Sequence, residues 1–235
     1  MSSISTPTLV ANDEQAREVA RFMQACCGGH WQPWMYHIGD LWWYRALNPA
    51  GAIGVWRDAQ GGITGFAWLE QPDSVVLQIQ PDLRGQGALE SAMVDWAIRN
   101  QSQPMLWTRA FESDTATRAW LEANGFEQDP RTMIVHRRDM ADPIPDDEAL
   151  PGFEVRHVQA HEWQERVAAH RDAFEPSKFS LEKYRLARNA PGYDPELDVV
   201  AVDRNGTIAA YCIAWYDEAN RIGYFEPVGT RKAFQ

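Results

Sequence analysis

The sequence predicts a three-layer α+β protein, in which helices cover both faces of a mixed, mostly antiparallel sheet, followed by a partial second copy of that unit. Two observations predict this fold. Helical and strand-like segments alternate through residues 1–140. After residues 141–152, a linker-like stretch with three prolines and a run of acids, the same order of segments begins again at residue 153.

Each element of the first half has its own signal. Asn12 is a helix N-cap, and the residues from there to Cys26 place apolar side chains on one helical face. GDLWWYRAL predicts a second helix, and AIGVWRD, GITGFAWLEQ and SVVLQIQ predict three strands between turn residues. The half then continues with a helix in LESAMVDWAIRN, a strand in PMLWTRAF, a helix in DTATRAWLEANGF that ends at Gly125, and a strand in RTMIVHRR.

The second half, residues 153–235, is an internal repeat of the first. FEVRHV, LDVVAVD, GTIAAYCIAWY and RIGYFEPVG predict strands, and HEWQERVAAHRDAF and SLEKYRLARNAP predict helices. Tyr44 matches Tyr184, and QPDLR at 80–84 falls on RKAFQ at 231–235. The sequence therefore predicts the front of a second unit, cut at its fourth strand, which packs on the first unit or pairs with another chain as a homodimer.

Composition excludes several classes of partner. With 33 acidic and 22 basic side chains, the surface repels phosphate backbones and anionic lipids, so neither nucleic acid nor a membrane is expected as a partner. The chain lacks an apolar run of about 20 residues and a secretory signal, which predicts a cytoplasmic protein. Cys26, Cys27 and Cys212 fit neither a disulfide framework nor a zinc site, and His157 and His161 lack a third ligand, so no metal is expected.

Four of the eleven tryptophans lie close together in the sequence: Trp31, Trp34, Trp42 and Trp43. Large aromatic side chains of this kind fill a core or line a pocket, and a core is favoured here. The pocket alternative makes the protein a module that binds a small ligand.

The segment IQPDLRGQGALES joins a predicted strand to a predicted helix through Arg84 and two glycines. Gly85 and Gly87 allow successive N–H groups to point into one space, and the helix start adds partial positive charge. Such a loop suits a pyrophosphate, although a tight turn also needs glycine for geometry alone. Glu90 stands where a dinucleotide fingerprint has its third glycine, and the G-K-[ST] of a Walker A loop is absent.

With this loop, the order of the elements and the helix end AWLEANGF, residues 8–138 resemble the GCN5-related N-acetyltransferase superfamily. Its acetyl-CoA signature, [QR]-x-x-G-x-[GA], matches the segment from Arg84 to Leu89, with leucine in place of the final Gly or Ala. The chain as a whole is similar to tandem members of the superfamily, of the mycothiol-synthase type. Gln235 matches the first position of the same signature in the second half.

The resemblance implies transfer of acetyl from acetyl-CoA to an amine of a small molecule or peptide, without a metal. Strand backbone would contact the pantetheine arm and the thioester, and the glycine loop would hold the pyrophosphate. The residues implied for acetyl-CoA are Leu77, Gln78, Ile79, Arg84, Gly85, Gln86, Gly87, Ala88 and Leu89.

Catalytic residues stay unassigned at this level. Leu121 replaces the tyrosine that protonates the leaving thiolate in many members, and residues 74–79 carry no carboxylate base. Four other polar residues are alternatives, although each is more readily explained as structural: Tyr36, His37, Asp40 and Glu70. Glu226 stands on the equivalent strand of the second half, where a base is expected. The alternative function is an inactive CoA-binding or structural fragment whose active half is incomplete.

Overall fold

The computed structural model describes residues 5–28, 32, 35–144 and 151–235. The elements of the first half are β1 (Thr8–Leu9), α1 (Asp13–Cys27), α2 (Ile38–Leu47), β2 (Ile53–Arg57), β3 (Ile63–Gln71), β4 (Ser74–Ile79), α3 (Ala88–Asn100) and α4 (Thr115–Ala123). The elements of the second half are β5 (Phe153–His157), α5 (Trp163–Ala173), α6 (Leu181–Arg188), β6 (Asp198–Asp203), β7 (Ile208–Asp217) and β8 (Ile222–Thr230).

The strands form two antiparallel four-stranded sheets, in the orders β1-β2-β3-β4 and β5-β6-β7-β8. Each half runs strand, helix, helix and three strands, so the order of elements repeats. A short 3-10 turn follows the fourth strand of each sheet, at Pro81–Leu83 and at Lys232–Phe234. A parallel bridge from Ser74 to Trp107 is the departure from antiparallel pairing within the described residues. The predicted α+β class is confirmed.

Helices cover both faces of the first sheet because alternate strand residues point to opposite sides. Phe66 and Trp68 of β3 pack into the apolar cluster that includes α1 and α2. Ala67 of the same strand packs on the other face with Met93 and Trp96 of α3. The sheet therefore forms the middle of three layers, as predicted.

The helix limits follow from their capping residues. Gln15 N donates to Asn12 Oδ1 at 3.0 Å, which confirms the predicted N-cap of α1. Beyond α4, Gly125 has a φ of +83°. Glycine adopts this left-handed conformation without the steric cost that a side chain would add. The first limit follows from a side-chain hydrogen bond and the second from the conformational freedom of glycine.

Two predicted strands are wrong. In PMLWTRAF (104–111), strand-like pairing is confined to Trp107, whose N–H donates to Asp73 O at 2.6 Å. RTMIVHRR (131–138) is not a strand, and its Met133 and Ile134 are each 80% exposed. Their β-branched and apolar composition favours an extended chain, but a strand also needs a neighbour with which to exchange hydrogen bonds.

One apolar cluster draws on both halves of the chain. Trp42 and Trp43 of α2 are buried in it together with Tyr184 of α6 and Trp215 of β7. The rings of Trp43 and Phe179 lie 5.3 Å apart between centroids. The second half thus packs on the first. The core role predicted for Trp42 and Trp43 is confirmed, whereas Trp31 and Trp34 lie outside the described residues.

The contact between the halves is close at Gly39 of α2. A Cβ atom at this position would lie 2.6 Å from Cγ of the buried Trp215. Gly39→Ala is therefore expected to lower the free energy of unfolding by about 1–3 kcal/mol, because α2 or Trp215 must shift. Urea unfolding measures the change, with Gly223→Ala as the matched control, since a Cβ there meets nothing within 4 Å. Equal midpoints for the two variants would contradict this packing.

The structure shows where the apolar helices, the cysteines and two of the histidines lie. No helix among the described residues is long and apolar enough to cross a membrane. Cys26 is buried, and Cys27 and Cys212 are partly buried. His157 lies in β5 and His161 in the turn that follows it. Across the described ranges, no three or more His, Cys, Asp or Glu side chains are grouped to hold a metal ion.

Candidate active site

The first half contains a groove between β4 and the segment that follows Trp107. It is lined by Tyr36, Leu77, Ile79, Arg84, Gly85, Glu90, the residues 108–111, and the α4 region from Asp114 to Leu121. At one end the chain turns through Gly85 and Gly87, whose φ angles of +75° and +80° are left-handed. The loop thus has the curled backbone that the sequence predicts.

The predicted acetyl-CoA residues divide between this groove and other surroundings. Leu77, Ile79, Arg84 and Gly85 line the groove. Gln78 faces the other side of β4, where it is buried and its Oε1 accepts from Tyr36 N at 3.4 Å. Three of the remaining residues are exposed or partly exposed on the loop, namely Gln86, Gly87 and Ala88, and Leu89 packs beside the α3 core. Their role in binding CoA stays a prediction.

Two acidic side chains engage the loop from within the protein. Gly85 N donates to Glu90 Oε1 at 2.7 Å. Arg84 Nη2 donates to Asp114 Oδ2 at 2.5 Å and to Thr117 Oγ1 at 2.9 Å. Burial of Asp114 is outweighed by the hydrogen bonds from Thr117 and Arg84, which hold its pKa below the ordinary value. The loop and its arginine are therefore already matched by carboxylates of the same chain.

A second polar group lies where β8 of the second half meets the first half. We call it the junction cluster, and its members are Tyr36, Asp40, Tyr44, Glu70, Arg109, Tyr224 and Glu226. Tyr224 OH donates to Asp40 Oδ1 at 2.8 Å, and Tyr44 lies near the Glu226 carboxyl. Arg109 Nη2 donates to Glu70 Oε1 at 2.5 Å. The cluster thus joins side chains from both halves.

Arg109 also connects the junction cluster to the groove. Its guanidinium carbon lies 5.9 Å from the ring centroid of Tyr36 and 6.0 Å from that of Tyr44. Both Arg109 and Tyr36 line the groove that runs to the glycine loop. The groove and the cluster are therefore neighbours.

The junction cluster favours positive charge. It holds three carboxylates, Asp40, Glu70 and Glu226, against the single guanidinium of Arg109. Burial and then the neighbouring Asp40 raise the pKa of Glu226 to about 7. Burial likewise raises the pKa of Asp40 to about 6, and it raises the pKa of Glu70. A cation placed among these side chains would stabilise their ionised forms.

A β-bulge sets the direction of Glu226. Val228 pairs with Cys212 and Phe225 with Ala214, so two residues of β8 lie opposite one of β7. Trp215 Nε1 donates to Glu226 O at 2.6 Å, which holds the bulged backbone against β7. The bulge removes this part of β8 from the regular ladder, and the Glu226 side chain lies near Asp40 and Tyr44 of α2.

Sequence reasoning found part of this cluster. Of its four alternatives, Tyr36, Asp40 and Glu70 lie in the cluster. His37 lies beside it, with its ring 5.1 Å from that of Tyr224, and burial lowers the pKa of His37 to about 4, so the ring is neutral. Arg109, Tyr44 and Tyr224 were missed. Two signals were present: Arg109 is a charge within an apolar stretch, and Tyr44 belongs to the repeated Tyr-Arg pair.

Comparison with known proteins agrees with this architecture. No protein-family model matches the chain. A mycothiol acetyltransferase from Segniliparus rotundus is 30% identical over 166 residues, covering 66% of this chain and 62% of that protein. The structure of a GCN5-related N-acetyltransferase from Sphaerobacter thermophilus superposes with a TM-score of 0.59 and 19% identity, over 97% of this chain and 77% of that one. The chain is therefore similar in sequence to this acetyltransferase, and it has the fold of the GCN5-related N-acetyltransferases.

A second GCN5-related structure has the same fold over nearly the whole chain. It is the glucosamine N-acetyltransferase region of a fungal multi-domain GH3 β-N-acetylglucosaminidase, with a TM-score of 0.51 and 17% identity over 99% of this chain and 33% of that one. This chain spans 62% of the length of its relative from Segniliparus rotundus. The structural likenesses establish the fold, and they cover both of its halves.

Proposed function

We propose that the chain is an acetyl-CoA-dependent N-acetyltransferase, whose acceptor is a cationic amine of a small molecule or peptide held at the junction cluster. The observation that carries the proposal is the position of Glu226. It stands at the bulge of β8, half-buried and near Asp40 and Tyr44 of α2. A carboxylate so placed attracts an ammonium group and accepts its proton.

Charge and hydrogen bonding both support an amine ligand. Asp40, Glu70 and Glu226 outnumber the one cation, Arg109, and tyrosine rings add faces that attract a cation. Glu70 Oε2 and Gln78 Nε2 are buried and have no hydrogen-bond partner among the described residues. Buried polar atoms are normally paired. An amine substrate that carries additional hydrogen-bonding groups would pair with both of these atoms.

Glu226 would act as the general base. An ammonium group must lose a proton before its nitrogen has a lone pair for attack, and a base with a pKa near the working pH accepts that proton efficiently. The raised pKa of Glu226, about 7, meets this requirement. Tyr44 lies near the carboxyl, and Trp215 fixes the backbone that carries it.

Acetyl-CoA supplies an activated thioester in this reaction and leaves as the CoA thiol. The backbone of β8 around the bulge is suited to hold the donor, since within the described residues this strand is paired on one side by β7. Phe225 and Val228, which flank the bulge, are 66% and 54% exposed. A free strand edge offers N–H and C=O groups to an extended ligand such as the pantetheine arm.

Thiol release from acetyl-CoA tests the proposal. The chain is assayed with a panel of primary amines, amino sugars and short peptides, each paired with the analogue in which a hydroxyl replaces the amine. We expect amine-dependent thiol release and a mass increase of one acetyl group on the amine, with none on the hydroxyl analogues. Binding of acetyl-CoA without an acetylated product from any amine would overturn the proposal and favour a non-catalytic role.

A further inference from the structure

We propose that the first-half glycine loop is closed by its own glutamate, so that Glu90 occupies the position where a diphosphate would bind. This inference does not depend on the proposed function. The motif from Arg84 to Leu89 predicts an anion site, and a carboxyl group of the same chain occupies that site.

The geometry of Glu90 is the first support. Its Oε1 accepts the N–H of Gly85 at 2.7 Å, so one of the donors that the curled loop offers to an anion is already taken. The side chain is 9% exposed, and its Oε2 has no hydrogen-bond partner among the described residues. Among the described residues, the hydrogen bond that holds this carboxyl is therefore the one donated by the loop.

The charge around Arg84 is the second support. Its guanidinium donates to Asp114 and Thr117 of the α4 region rather than projecting into open space above the loop. A diphosphate at Gly85 would face two carboxylates, those of Glu90 and Asp114, with one arginine to offset them. Repulsion between like charges at such short range strongly disfavours the second anion.

As a consequence, the two halves of the chain differ in whether they can bind a phosphate-bearing ligand. The first half has the curled loop of an anion site, with Gly85 and Gly87 in left-handed conformations, but its own side chain satisfies that loop. A phosphate-bearing ligand would bind there when the Glu90 carboxylate is removed. In the unchanged chain, a CoA ester would bind elsewhere, and the edge of β8 that is unpaired within the described residues offers it backbone hydrogen-bonding groups.

The experiment follows the amide signals of Gly85 and Gly87 by ¹H–¹⁵N NMR while inorganic pyrophosphate or CoA is added. In the unchanged chain we expect no saturable shift of these two amides. In Glu90→Ala we expect saturable binding of pyrophosphate, tighter by about tenfold or more, because the competing charge is gone. Glu90→Gln keeps the shape and removes the charge, so it is expected to show an intermediate gain.

Asp95→Ala is the matched control, since Asp95 is an exposed acid on the same helix. It removes one negative charge without touching the loop, and no gain in pyrophosphate affinity is expected. The proposal is overturned if the unchanged chain already binds pyrophosphate or CoA at Gly85 as tightly as Glu90→Ala does. It is equally overturned if neither Glu90 variant gains affinity. Both readouts are independent of acetyl transfer, so they separate this inference from the proposed function.

Discussion

Glu226→Gln is expected to reduce amine-dependent acetyl transfer by about 10²–10⁴-fold, the usual contribution of a general base. Glutamine keeps the size and shape of the side chain, but it does not accept the proton of an ammonium group. The bulge that carries the side chain is fixed by Trp215 through the backbone of residue 226, so the fold should not change. Steady-state rates of thiol release measure the loss.

The pH dependence gives a second test of the same residue. Because burial and Asp40 raise the pKa of Glu226 to about 7, the base is protonated and inactive at low pH. The rate in the unchanged chain should therefore rise as pH increases through about 7. The sign would be opposite for a group that acts as an acid. In Glu226→Gln the residual rate should lack this rise, whereas a merely structural role for Glu226 would leave the pH profile in place.

Glu218→Gln serves as the control, because Glu218 is an exposed acid just after β7. Its rate and pH profile should match those of the unchanged chain. If Glu226→Gln retains full activity, the base lies elsewhere and the proposed mechanism is wrong. Circular dichroism of each variant shows whether the fold is kept.

Asp198→Asn is expected to lower the free energy of unfolding by about 3–5 kcal/mol, because it leaves a buried charge without its partner. Asp198 and Arg166 are both fully buried, with Arg166 Nε 3.3 Å from Asp198 Oδ1. The guanidinium carbon of Arg166 also lies 3.6 Å from the ring centroid of Tyr211. Arg166 therefore has little access to water once the carboxylate is neutralised.

Arg188 and two tyrosines also surround Asp198, with Arg188 Nη1 3.8 Å from Asp198 Oδ2. Tyr184 OH and Tyr193 OH donate to Asp198 Oδ2 at 2.6 and 2.8 Å. Tyr193→Phe removes one donor and keeps the charge pair, so a smaller loss of about 1–2 kcal/mol is expected. The ranking of the two variants is the test, measured by urea unfolding, with the exposed Asp95→Asn as control. An equal loss in Asp198→Asn and Asp95→Asn would show that the buried pair contributes nothing.

The local elements were predictable because their signals are local. Asn12 caps α1, Gly125 follows α4 in a left-handed conformation, and the glycines at 85 and 87 curl the loop after β4. In each case the conformational preference belongs to the residue itself and its immediate neighbours. In the same way, the strand-like and helical segments that begin again after residue 152 predicted the second sheet.

The strand RTMIVHRR shows where such reasoning ends. Its composition favours an extended chain. A strand also needs a partner strand, and within the described residues this segment has none, which its own sequence does not reveal. The predicted anion loop is a similar case. The glycines predicted the curled backbone at Gly85. Glu90, whose side chain accepts the N–H of Gly85, was noted in the sequence only because it stands where a dinucleotide fingerprint has its third glycine.

The sequence by itself determined the α+β class, most of the helices and strands and the presence of a glycine loop, because each depends on patterns within a short stretch of chain. The tertiary structure decided which polar residues share a site. Asp40, Arg109 and Glu226 are far apart along the chain, and the packing of β8 on α2 brings them together. Their charges act through space, so their pKa values and their joint preference for a cation arise only when the two halves meet.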